Sequence, residues 1–101
     1  MKPLELSAFV ESDLDEIAAF IADDDPRRAV TFIQDIRAKF NVIQRTPLLY
    51  QLRPDIGTDA RLATVGRYAI LFRVVEEVVR IERVVYVGRD LPGLIAASQF
   101  E

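Results

Sequence analysis

A helical hairpin laid on an antiparallel sheet, an α+β domain, is the fold the sequence predicts. Three observations predict it: two stretches of helical apolar spacing in the first half, a stretch broken by proline and glycine, and three runs of β-branched and aromatic residues in the second half. With 101 residues, 50% of them hydrophobic and 29% charged, the chain is long enough for one core and too apolar for disorder. It is read as a single domain, residues 1–101.

Residues 2–6, KPLEL, alternate briefly and end at Ser7, a good helix N-cap, so they read as a short first strand. Val10, Leu14, Ile17, Ala18 and Ile21 then form one stripe of a helix running from about Ala8 to Ala22. Ser12 with Asp15 also fits a capping box, which would start that helix later. Asp25-Pro26 is a second helix start, because aspartate caps free backbone N–H groups and proline at the first helical position loses no hydrogen bond. Ala29, Phe32, Ile33, Ile36, Phe40 and Ile43 carry its stripe, and Thr46-Pro47 ends it.

Residues 47–59, PLLYQLRPDIGTD, follow no period and read as a loop, long enough in a compact domain to be functional or mobile. Arg61 to Val65, Tyr68 to Val75 and Val78 to Val87 read as three strands, divided at Gly66-Arg67 and Glu76-Glu77. Glu-Glu lacks the positive-φ preference of the tightest turns, which favours a loop of more than two residues there. Gly88 ends the last strand, and LPGLIAASQFE, residues 91–101, is expected to form a short helical tail.

Simple alternation places Tyr68, Ile70, Phe72 and Val74 on one face of their strand, opposite Ala69, Leu71, Arg73 and Val75. In the next strand it sets Val79, Ile81, Arg83, Val85 and Val87 against Arg80, Glu82, Val84 and Tyr86. A sheet with helices on one side needs one apolar face. The second implies either further core or a surface for a partner.

The chain has no cysteine and no histidine. Disulfides, thiolate metal sites, the usual nucleophile–base pairs and the common zinc sites are thereby excluded, and no cofactor or metal is expected. Asp23-Asp24-Asp25 lacks the alternating ligands of a calcium loop and reads as cap and turn. Acids at Glu5 and Glu11 interrupt the start before any signal-like apolar run, and no later run approaches a membrane span, so a cytoplasmic location is expected. Net charge is −3, divided as −7 over residues 1–25 and +4 over the remainder. A pI near 5.0 argues against specific nucleic-acid binding as the main work.

Taken in order, the elements and certain residues resemble the RelE/ParE toxin superfamily. The matching pieces are Asp13-Leu14 with Ile17, Ala29 and Phe32, Pro47, Arg61, Gly66, Tyr68, Ile70 and Phe72-Arg73-Val74, then Ile81, Arg83-Val84-Val85 and Arg89-Asp90-Leu91. One branch of that superfamily is a ribosome-dependent endoribonuclease that cuts messenger RNA. The other, ParE, poisons DNA gyrase and is neutralised by a small antitoxin. RNA cleavage requires groups to take and give protons and cations around the phosphate. The ribonuclease branch has its strand lysines where this chain has Ala60, Arg61 and Leu62. Its next arginine aligns with Ala69, and its C-terminal tyrosine falls near Ala96. Arg89 alone keeps an equivalent cationic place.

The resemblance therefore implies the ParE branch: a type II toxin of the plasmid-stabilisation kind that acts by binding and has no catalytic residues. It forms a hetero-oligomer with a ParD-like antitoxin and takes DNA gyrase as target through Arg89, Asp90 and Leu91. Antitoxin contact is expected at Leu49, Tyr50, Leu71, Val75 and Val84, chosen by strand parity and loop position; the same residues equally suit the chain's own core. Arg61, Arg67, Arg73, Arg80, Arg83 and Arg89 are expected to serve as scaffold and recognition groups, some of them paired with Glu76, Glu77 or Glu82. Tyr68 and Tyr86 are expected to be packing residues. The alternatives are a ribosome-dependent ribonuclease of the RelE type and a non-toxic antitoxin-binding module of the same fold.

Overall fold

The computed structural model describes residues 1–88. In chain order it contains strand β1 (Leu4–Leu6), helices α1 (Val10–Ala22) and α2 (Pro26–Arg45), a 3-10 turn (Pro47–Leu49), and strands β2 (Arg61–Val65), β3 (Tyr68–Val75) and β4 (Val78–Tyr86). The helical tail expected at 91–101, and Arg89, Asp90 and Leu91, lie outside the described residues.

Sheet order is β1-β4-β3-β2, with β1 parallel to β4 and the other pairs antiparallel. The expected three-stranded antiparallel sheet is therefore a four-stranded mixed one. The parallel strands β1 and β4 are connected through the helical hairpin, the loop, β2 and β3, far more chain than a parallel pair requires. Leu4 and Leu6 turn toward the helices while Glu5 turns away to meet Arg80.

Both helices keep the predicted stripes. Val10, Leu14 and Ile17 from α1, and Phe32, Ile36, Phe40 and Ile43 from α2, bury against Ala63, Ile70, Phe72, Val79, Ile81 and Val84 of the sheet. α1 starts at Val10 with Phe9 at its N-cap and no side-chain cap bond, so neither Ser7 nor Ser12 caps it. Ser7 shapes the turn just before, its carbonyl accepting from the Val10 N–H and its Oγ from the Phe9 N–H. Asp25 caps α2 through its carboxylate, which accepts from the Arg28 N–H at 3.1 Å, with Pro26 following as predicted.

The strand faces depart from simple alternation at one residue. Phe72 lies opposite Ile81 and Leu71 opposite Arg83, so Glu82 is an extra residue, a β-bulge. Val84 thereby joins Ile81 on the helix side, and Val85 passes to the other face. Three side chains hold the bulge. Ser7 Oγ donates to the Glu82 carbonyl at 2.6 Å. Asp13 Oδ2 accepts from the Val84 N–H at 3.0 Å. The same carboxylate takes both Arg83 Nε and Nη2 at 2.8 Å. Its hydrogen bond holds the Arg83 guanidinium above its ordinary pKa, against the opposing effect of burial.

Glu76 and Glu77 have φ of 49° and 68°, and Val75 pairs with Val78. The β3–β4 connection is thus a two-residue turn, tighter than expected, with two β-carbons in the left-handed region. Long strands that pair over their full length impose this geometry on residues that do not favour it.

Two outcomes follow for stability. Asp13→Ala should cost about 3–5 kcal/mol in urea unfolding, because it strands a buried guanidinium and orphans a bulge amide; combining it with Arg83→Met should cost less than the sum of the two single changes. Glu76→Asn with Glu77→Gly should raise stability by about 1 kcal/mol by relieving the turn.

Candidate functional site

The sheet face away from the helices is where the ribonuclease resemblance would put cations, and here it is a small core. Ile56, Ala60, Ala69, Leu71 and Val85 are buried together with Leu62 packed against them. The cover is the loop over 50–60, and its own backbone folds it tightly. Arg53 N–H donates to the Ala60 carbonyl at 2.7 Å, Ile56 N–H donates to the Arg53 carbonyl at 3.0 Å, and Leu52 bridges Arg61. The Arg53–Asp55 ion pair braces the loop from outside. Ala60 and Ala69 are fully buried. Arg61 lies opposite Phe72 and gives its guanidinium to the Tyr50 carbonyl. Of the four aligned positions, none places a cation on this face.

Most remaining arginines on the sheet are committed to carboxylates. Glu82, buried, accepts from Arg73 Nε at 2.9 Å and Arg80 Nε at 3.0 Å, and Arg80 also meets Glu5. Glu82 is the partner foreseen for such pairs; Glu77 instead pairs with Lys2 at 3.1 Å. A buried carboxylate between two guanidiniums is a structural solution to charge burial, since each ion satisfies the other's lone pairs or protons.

Apolar and aromatic side chains are left open at two opposite poles. One pole lies where β3 begins, β4 ends and the two helices meet. There Phe20, Ile21, Arg28, Phe32, Arg67, Tyr68 and Tyr86 line a groove of about 580 Å³. Phe32, Tyr68 and Tyr86 meet in series, the first pair tilted and the second edge-on, at centroid distances of 5.6 and 5.8 Å, and Arg28 caps the Phe32 ring at 5.0 Å. Phe20 is 73% exposed. Burial and the neighbouring Tyr86 push the Tyr68 phenol up from its ordinary value, so at neutral pH it stays protonated and is no base. Gly66 opens the adjoining turn at φ 56°, and a β-carbon there would stand 3.3 Å from the Phe32 ring. Sequence reasoning passed over Phe20. The signal available was a large apolar residue lying off the α1 stripe.

At the other pole the 3-10 turn ends α2 beside the first residues of the chain. Met1, Lys2, Gln44, Arg45, Thr46, Pro47, Leu48 and Leu49 surround a hollow of about 620 Å³. Of the five residues expected at the antitoxin contact, Leu49 and Tyr50 are here, the latter with its ring against Phe72 at 5.6 Å and below the Lys39 ammonium. Val75, part-exposed, is in the β3–β4 hairpin, whose Glu77 pairs with Lys2. Leu71 and Val84 are 0% and 2% exposed, one in each of the two cores. They are correctly apolar but offer no surface: the loop covers Leu71, and the bulge turns Val84 inward.

Among the described residues no helix is long and apolar enough to cross a membrane. No curated protein matches the sequence. Among solved structures, a chain described as the chromosomal ParDE TA system from P. aeruginosa superposes with a TM-score of 0.75 at 24% identity, over 86% of this chain and 97% of that one. The isolated E. coli RelE toxin superposes with a TM-score of 0.62 at 14% identity, over the whole of both chains. Both likenesses concern the fold. At the level of sequence, the family described as "ParE toxin of type II toxin-antitoxin system, parDE" matches residues 4–91. With the strand–hairpin–sheet architecture and that match along nearly its whole length, the chain belongs to the ParE toxin family of type II toxin–antitoxin systems.

Proposed function

We propose that this ParE-family toxin acts by gripping a protein and breaks no bond, that its target is DNA gyrase, and that a ParD-like antitoxin neutralises it. The observation that carries this reading is the apolar cluster of Ile56, Ala60, Leu62, Ala69 and Leu71. A phosphodiester in transit to its transition state needs cations and a proton acceptor close by. Around positions 60, 62 and 69 that face supplies hydrocarbon, its Arg73 and Arg80 are held by the buried Glu82, and the raised phenol of Tyr68 lies at one pole, away from the cluster.

Surfaces suited to protein partners support the same reading. The groove at Phe20, Tyr68 and Tyr86 combines aromatic rings with Arg28 and Arg67, the side chains that dominate protein–protein hot spots. β4 ends at this pole with Tyr86. Arg89, Asp90 and Leu91, which we assign to target contact, come after Val87 and Gly88 in the sequence. Leu49, Tyr50 and Val75 are assigned to the antitoxin. An amphipathic segment laid on apolar surface is the recognition mode they suit. The cytoplasm is the compartment where both partners would be met.

Likeness of fold to the RelE toxin favours keeping ribosome-dependent cleavage as the second reading, because the backbone that supports such chemistry is present. The two are separated by one pair of assays. The purified chain should inhibit supercoiling by gyrase and leave message intact in a translating extract; cleavage of message without gyrase inhibition would reverse the assignment. Expression that leaves both supercoiling and growth untouched would point to the non-toxic binding module. Arg89→Ala with Leu91→Ala should reduce gyrase inhibition at least about tenfold while antitoxin affinity stays within about twofold, as expected of contacts made only with the target.

A further inference from the structure

We propose that the hollow walled by Leu48 and Leu49 is a specificity pocket for an acidic amphipathic segment of the antitoxin, with Lys2 and Arg45 reading its charge. This rests on the toxin–antitoxin reading above and adds the chemistry of the partner at this pole.

The argument starts from two leucines that the fold does not use. Leu48 and Leu49 are 65% and 82% exposed, and Leu52, just beyond, is 48% exposed. Adjacent leucines held out in water forgo the stabilisation that burial would give them. Nothing in the local backbone demands them, since the turn is made by Pro47 at its first position and by Leu49 N–H and Tyr50 N–H donating to the Thr46 and Pro47 carbonyls. The platform is firm. Gln44 Nε2 donates to the Lys2 carbonyl at 2.9 Å, and Arg61 holds the Tyr50 carbonyl. A leucine pair on such a platform loses little freedom when covered, which favours a buried anchor.

Charge then selects the occupant. The lining residues include Lys2 and Arg45 and no acid. Arg45 closes the last turn of α2, where the helix dipole favours a cation. Lys39 stands over the neighbouring Tyr50 ring at 5.8 Å. Lys2 itself pairs with Glu77, whose side chain is 85% exposed, a surface pair that a partner's carboxylate can displace at little cost. An apolar floor inside a cationic rim suits a segment with apolar anchors flanked by Asp or Glu. A second copy of this chain suits it poorly. An isologous contact would set Lys2 and Arg45 against their own likenesses, with no lining acid to offset them.

The test uses the full chain and the full antitoxin encoded beside it, with affinity measured by calorimetry. Leu48→Ser with Leu49→Ser should weaken binding roughly 100-fold, in line with loss of two central anchors. Lys2→Glu with Arg45→Glu should weaken it at least about tenfold, and should flatten the decline of affinity between about 50 and 500 mM salt that the wild type shows. Thermal melts of all variants should stay close to the wild type, because the altered side chains lie outside both cores. Wild-type affinity in the double serine variant, or a wild-type affinity indifferent to salt, overturns the pocket while leaving the toxin–antitoxin reading standing. A wild-type chain that does not bind the antitoxin at all defeats that reading instead. Light scattering that finds a dimer of the free chain, made monomeric by the two serines, also overturns the proposal by giving the pocket to a second copy.

Discussion

One carboxylate joins the two layers of this protein. Asp13 sits in the first turns of α1, buried, with one oxygen shared between a guanidinium nitrogen of Arg83 and the Val84 amide and the other on a second Arg83 nitrogen. Such a group is costly to take out of water, and what makes the burial tolerable is that its partners are a bidentate cation and a backbone donor freed by the bulge. Ser7 grips the same bulge from the chain just before the helix. Helix and strand are thus fastened where β4 changes face, and the change of face decides which residues are core. Val84 can pack with Ile70 and Leu14, and Tyr86 can stand beside Tyr68, only because Glu82 occupies the extra position.

The bulge also organises charge on the other side of the sheet. Glu82 collects Arg73 and Arg80, and Arg80 reaches on to Glu5 of the edge strand, so the parallel β1–β4 pairing is braced by ions as well as by its ladder. Beyond that network the outer face turns apolar and the loop folds over it with Ile56 at the centre. Hydrocarbon fills the part of this face around positions 60, 62 and 69, where the resemblance to the ribonuclease branch would put cations. The backbone is indifferent to this exchange, which is why likeness of fold cannot by itself carry chemistry.

What remains open is polar in arrangement: an aromatic and arginine-lined groove where the chain leaves the sheet, and a leucine hollow with a cationic rim where α2 ends. Surfaces at opposite ends of a small domain suit different partners, or a single partner long enough to pass from one to the other. Either arrangement relies on a stiff body between them, and the two cores on either side of the sheet supply it.

Much of this was legible in the residues. Apolar spacing located both helices, Asp25-Pro26 marked the bend between them, and β-branched runs marked β2, β3 and β4, because these features act over a few neighbours along the chain. Ala60 and Ala69, too, put no cation at two of the positions the resemblance marks, and both are fully buried. Short β1 was foreseen as a strand but not as a member of the sheet, since three residues carry too little pattern to name a partner 75 positions away. At Glu76-Glu77 local preference favours a longer loop, and the pairing of two long strands overrides that preference. Which apolar residues face a partner was the least legible of all. A strand's period of two is a local rule, and one inserted residue inverts it for everything that follows. Whether the insertion is tolerated depends on Asp13 and Ser7, distant in sequence and brought near only by the fold. Local order determined the elements; the bulge held by Asp13 and Ser7 decided Val84 as core, the loop folding over the outer face decided Leu71, and Leu48, Leu49 and Phe20 were left as surface.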